Sequence, residues 1–118
     1  MTADHRITAI LPCRDIEASE AFYKRLGLTV VSDHGHYRIL ADGRGWHLHL
    51  NSTPGWPRKV EDNAVGIYIY VDDVDAVADR VRELIIEQGA PHRKPWGTYE
   101  FAVSDPSGTL VRIGRALG

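Results

Sequence analysis

Ile67-Tyr68-Ile69-Tyr70-Val71-Asp72-Asp73-Val74-Asp75-Ala76-Val77 reads as a short strand running into a capped helix. Ile67 to Val71 form the strand, and Val74, Val77, Val81, Leu84 and Ile85 then recur at helical spacing, with Gly89 as a stop. Asp72, Asp73 and Asp75 fit as capping and first-turn charges set against the helix macrodipole. The same order of signals occurs earlier. Ile7 to Cys13 is an apolar strand-like run, Asp15 can cap, and Ile16, Phe22, Tyr23 and Leu26 make a helical stripe closed by Gly27. When Asp15 is laid on Asp73, Asp15-Ile16-Glu17-Ala18 matches Asp73-Val74-Asp75-Ala76, and Leu26 falls on Leu84.

The segments after each helix extend the parallel. Leu28 to Ser32, Tyr37 to Ala41 and Trp46 to Asn51 read as strands, with Asp42-Gly43-Arg44-Gly45 as a turn between the last two. After Gly89 come a short run near His92, then Tyr99 to Val103 and Thr109 to Ile113, joined by the turn Asp105-Pro106-Ser107-Gly108. The chain is therefore expected to be α+β, one domain of two βαβββ modules in tandem. Module 1 covers about 1–52, a linker about 53–63 and module 2 about 64–118. The linker carries Pro54, Gly55 and Pro57. A sheet with a helix on one side leaves its other face to be covered by a second copy or a second chain. Two such sheets facing inward would make a concave cleft, a usual place for a small-molecule site.

Bulk properties narrow the function. A chain of 118 residues can bury roughly two thirds of its unfolded surface. Its 43% hydrophobic and 25% charged content is that of an ordinary soluble protein. A net charge of −2 argues against a nucleic-acid binder that neutralises many phosphates. No apolar run approaches the roughly 18 residues that cross a bilayer, and Met1-Thr2-Ala3-Asp4-His5-Arg6 does not read as a signal peptide. The lone Cys13 cannot form an internal disulfide and lies in an apolar run, which fits a packing role in a reducing, cytoplasmic setting. There is no Gly-rich phosphate loop, no Gly-x-Ser-x-Gly elbow and no Cys-x-x-Cys pair.

Leu11-Pro12-Cys13-Arg14-Asp15-Ile16, Phe22-Tyr23 and Leu26-Gly27-Leu28, together with the paired modules, resemble the vicinal oxygen chelate (glyoxalase/bleomycin resistance/dioxygenase) superfamily. The second half is more particular. Asp62-Asn63, Ile67 to Val71, Pro95-Trp96-Gly97, Glu100-Phe101-Ala102 and Asp105-Pro106-Ser107-Gly108 are similar to bleomycin-resistance proteins. The resemblance implies a homodimer whose paired chains build two ligand clefts, and a protein that sequesters an antibiotic without altering it, with no cofactor and no catalytic residue.

Enzymes of the superfamily hold a divalent metal through His, Glu or Gln on the first and last strands of each module. Matched through Asp15, Asp73 and the Asp105 turn, those positions fall on Thr8, Gly66 and Arg112, with the fourth on or near His47 or His49. Gly66 has no side chain, neutral Thr8 is a weak donor and cationic Arg112 repels a metal, so no metal is expected. His47-x-His49 on a strand points both rings to one face and, with a third ligand, could bind zinc or iron. The ordinary reading makes them polar residues facing cleft or solvent. The alternatives to a drug binder are a metalloenzyme (lyase or dioxygenase) with a relocated site around His47 and His49, and an orphan small-metabolite binder.

A bleomycin-type drug offers a flat bithiazole and a cationic tail, which call for aromatic planes and acidic or hydrogen-bonding groups. By resemblance, Trp96 matches the tryptophan that stacks on the bithiazole, and Tyr37 lies where the family supplies an opposing aromatic, although it also suits a core strand. Asp33, Glu61, Asp62 and Glu100 are the acidic candidates, with Asp33 in a loop that carries His34 and His36 where resistance proteins are often more acidic. Arg112 departs from the family; facing the cleft, it would pair with Glu100 or select an anionic ligand. Tyr68 and Tyr70 share a face as cleft wall or dimer contact, and Trp46 and Trp56 read as packing residues. The expected ligand-binding set is Trp96, Tyr37, Asp33, Glu100, His47, His49 and Arg112.

Overall fold

The computed structural model describes residues 5–118; the opening Met1 to Asp4, part of the segment read above for a signal peptide, lies outside it. Two βαβββ units follow one another. The first comprises β1 (Ala9–Cys13), α1 (Ile16–Arg25), β2 (Thr29–Asp33), β3 (Tyr37–Ala41) and β4 (His47–Ser52). The second comprises β5 (Gly66–Tyr70), α2 (Val74–Arg80), β6 (His92–Arg93), β7 (Thr98–Ser104) and β8 (Leu110–Ala116). Each forms its own mixed four-stranded sheet, ordered β1-β4-β3-β2 and β5-β8-β7-β6, with one parallel pair at the edge where the unit begins.

The helices form where their caps predict. Asp15 Oδ1 accepts from the N–H groups of Glu17 and Ala18, and Gly27 takes a φ of +107° just past the end of α1. Asp73 Oδ1 accepts from Ala76 N–H at the start of α2. The second helix is shorter than the apolar stripe implies. It ends at Arg80, and a single 3-10 turn, Arg82–Leu84, follows. The reason is tertiary: Ile85 bridges to Val103 and Ile86 N–H donates to Ala102 O, so this β-branched pair extends the edge of β7 instead.

Alternation along the strands separates two faces. Leu11, Cys13, Leu40, Leu48 and Leu50 point to α1, while Phe101, Val103, Val111 and Ile113 point to α2, and all are buried in one core. Arg38 also points to the helix side of its sheet and is held there by Glu17, Glu20 and Asp33. The Asp105 turn ties the units together. Asp105 Oδ1 accepts from Ser107 and Thr109 N–H, its Oδ2 accepts from Tyr23 Oη at 2.7 Å, and Ser107 Oγ accepts from Arg14 N–H at 2.8 Å. Gly108 in this turn has a φ of +76°, and a Cβ there would meet Lys59 O at 2.7 Å, so only glycine fits.

Candidate ligand-binding site

The faces turned away from the helices carry the candidate residues. On the second sheet, strand register places Tyr68 beside Arg112 beside Ala102, and Tyr70 beside Gly114 beside Glu100 beside His92. Glu100 is the centre of this face. Its carboxylate is 1% exposed, and its Oε1 accepts from Thr98 Oγ1 (2.5 Å), Trp96 Nε1 (3.1 Å) and Tyr68 Oη (3.1 Å). Its Oε2 accepts from Arg112 Nη1 at 3.1 Å. Burial alone would push the Glu100 carboxyl up, but the donors from Thr98, Trp96, Arg112 and Tyr68 together hold it below the usual carboxylate range. The Tyr68 hydroxyl moves the other way, raised by burial and then by its bond to Glu100.

Gly114 makes the cluster possible. A Cβ at this position would lie 2.5 Å from Glu100 Cβ and 2.5 Å from Tyr68 Oη, so the two side chains meet across bare backbone.

Trp96 is thereby fixed by its edge. Its indole N–H is held by Glu100, Lys94 Nζ lies 5.7 Å from the ring centroid, and the residue remains 63% exposed. Lys94 is itself nearly buried and ion-paired with Glu87 at 2.6 Å. An indole held in this way offers a preset surface for a flat partner, because little side-chain freedom is lost on stacking.

On the first sheet, Tyr37 Oη and His49 Nδ1 lie 2.6 Å apart, with their rings edge to face at a centroid distance of 5.4 Å. Tyr37 is thus a half-buried residue of the open face and not of the core. His47, two residues along β4, lines a cavity of about 290 Å³ with Trp46, Tyr68 and Tyr70 where the two sheets adjoin. That cavity brings His47 beside the Glu100 cluster's own Tyr68. Trp46 packs against the core and donates its indole N–H to Tyr70 O.

Two expectations need correction. Asp33 is not on this face: it shares the helix side with Arg38 and is spent on the Gly35 N–H and the Arg38 guanidinium. Glu100 is on the face but is not a free acid for a cationic ligand, because both oxygens are occupied and the group is buried. Glu61 and Asp62 lie in a 3-10 turn before β5. Thr98, Lys94 and Gly114 also belong to the site and were not among the expected residues. Thr98 was detectable as the residue two before Glu100, hence on the same strand face; Gly114 becomes visible only once β5, β8 and β7 are in register.

The four metal-ligand positions do not fit a divalent cation. Gly66 offers no side chain, Thr8 only a neutral hydroxyl and Arg112 a cation paired to Glu100, which leaves at most the position at His47 or His49 as a donor. Among the described residues no three His, Cys, Asp or Glu side chains are grouped to hold a metal.

The profile of the glyoxalase/bleomycin resistance protein/dioxygenase superfamily matches residues 4–113. The chain belongs to this superfamily. Within it, the chain is 28% identical over 114 residues to a bleomycin resistance protein of Klebsiella pneumoniae, covering 90% of this chain and 88% of that one. The crystal structure of a bleomycin-binding protein complexed with bleomycin superposes with a TM-score of 0.79 at 27% identity, over 95% of this chain and 98% of that one. A lactoylglutathione lyase from Agrobacterium tumefaciens superposes with a TM-score of 0.69, also at 27% identity, over 97% and 95% of the two chains. Superfamily membership thus spans binders and enzymes, and the site must separate them. No helix in the described residues is long and apolar enough to cross a membrane.

Proposed function

We propose that this superfamily member is a non-enzymatic binding protein that sequesters a planar, aromatic-containing compound, with antibiotics of the bleomycin kind as the first class to test. The observation that carries the reading is Trp96: an exposed indole whose edge is locked to a buried carboxylate. Stacking on such a ring contributes on the order of 0.5–1.5 kcal/mol beyond area burial. The likeness to bleomycin resistance and bleomycin-binding proteins supports the same reading. Trp96 and Tyr37 supply the aromatic surfaces, His47, His49 and Arg112 the polar contacts, and Glu100 acts through Trp96 and Arg112. We further propose a cytoplasmic homodimer in which a second copy covers the open faces and completes the cleft.

Titration of the purified protein with bleomycin and with a flat aromatic probe, followed by heat and by tryptophan fluorescence, tests this. Binding that is lost in W96A is the expected result. No response to near-millimolar bleomycin would remove that drug as ligand, and W96A binding the aromatic probe as tightly as the parent would overturn the site. The competing reading, a metal-dependent lyase using His47 and His49, draws on the likeness to the lyase. It requires a stoichiometric metal that is lost in H47A or H49A.

A further inference from the structure

The open faces of the two sheets hold little negative charge. Among the described strand residues the only carboxylates are Asp33, which lies on the helix side, and Glu100. Glu100 is 1% exposed and accepts from four different side chains, so it presents no free oxygen to a ligand. Arg112 is in the opposite condition. Its side chain is 39% exposed, and its one hydrogen bond among the described residues runs from Nη1 to Glu100. Nearby Glu87 is taken by Lys94 at 2.6 Å and approached by His92 at 3.7 Å. A guanidinium has five N–H donors in a planar fork, so most of those on Arg112 remain for another acceptor.

The two oxygens of one carboxylate therefore hold an indole on one side and a guanidinium on the other. Held by the same carboxylate, the two groups suit a ring that carries an anionic substituent, with the ring on Trp96 and the oxyanion on the free edge of Arg112. We propose that Arg112 is the charge-selecting residue of this site and that its preferred ligand is a planar aromatic compound bearing a carboxylate or similar oxyanion. A cationic substituent finds no free carboxylate on these strands, so within the planar compounds proposed above this selection counts against bleomycin itself and for anionic members of the class. This inference rests on the binding function proposed above and assigns its substrate class.

Three probes of one shape separate the possibilities: 2-naphthoate, neutral 2-naphthamide and the 2-naphthylmethylammonium cation, each titrated calorimetrically near pH 7.5. Charge-assisted hydrogen bonding should favour naphthoate over the cation by roughly tenfold or more. R112Q should bring naphthoate down to the affinity of naphthamide. R112K, which keeps the charge, should preserve the order of the three, and thermal melts of both variants verify that they are folded. If the cation binds as well as naphthoate, or if folded R112Q retains the preference, Arg112 does not select charge, while planar binding stands. If none of the three binds, the planar-binder reading fails with it.

Discussion

A carboxylate shut away from water stays ionised only where other groups replace the lost hydration. At Glu100 that replacement comes from one cation and three neutral donors, and it defines a test. Because the folded group titrates below its ordinary value of 4.5, the unfolded chain binds more protons in acid. The stability contributed by Glu100 is therefore present above about pH 4.5 and is lost as pH falls through the folded value. E100Q should cost about 1–3 kcal/mol at pH 7, and the gap to the parent should close in acid, as measured by denaturant unfolding across pH. Gly114 makes a second test. G114A forces a methyl between Glu100 and Tyr68 at 2.5 Å from each, and overpacking of this kind costs about 1–3 kcal/mol. The same variant should blue- or red-shift the emission of Trp96 as its anchor moves, a change that W96F must abolish.

The Asp105 turn does its work as a connector between elements. Its carboxylate serves Tyr23 Oη and two backbone N–H groups, all buried, and burial raises its pKa above the ordinary 3.8 despite those bonds. D105A strands three donors and should destabilise by about 3 kcal/mol or more, whereas D105N, which keeps an acceptor, should lose less; thermal melts of the pair check this. This turn, the caps at Asp15 and Asp73 and the stop at Gly27 were legible in the sequence because each depends on local chemistry. Six of the strands were legible to within a residue or two for the same reason, since alternation and turn residues bracket them. The end of α2 was not, because what stops it is Ile85 and Ile86 joining a strand far along the chain. The site divides likewise. Trp96 and Tyr37 were proposed from resemblance to the family and Arg112 from its distance to the Asp105 turn, but the burial of Glu100 and the turning of Asp33 toward Arg38 are consequences of strand register. Sequence spacing alone places both acids equally near a cleft.

The assembled chain leaves Ile10, Tyr70 and Trp96 more than half exposed on strands or loops of the open faces. Exposed apolar residues of this size are commonly covered by a partner. The proposed homodimer therefore predicts a twofold mass in light scattering across a wide concentration range, and I10E should shift the protein toward monomer without loss of its circular dichroism. Within one chain, the two units meet through Tyr23 and Asp105, through Arg14 and Ser107, and through Arg25, whose Nη2 donates to Arg80 O at 2.6 Å. None of these contacts uses the exposed Pro54-Gly55 part of the linker. A protease site inserted there should allow the chain to be nicked while both fragments still elute together until denaturant separates them. The buried Asp105 bond thus makes each half a specific receptor for the other: separately encoded halves should find one another in solution, so the peptide connection supplies proximity rather than recognition.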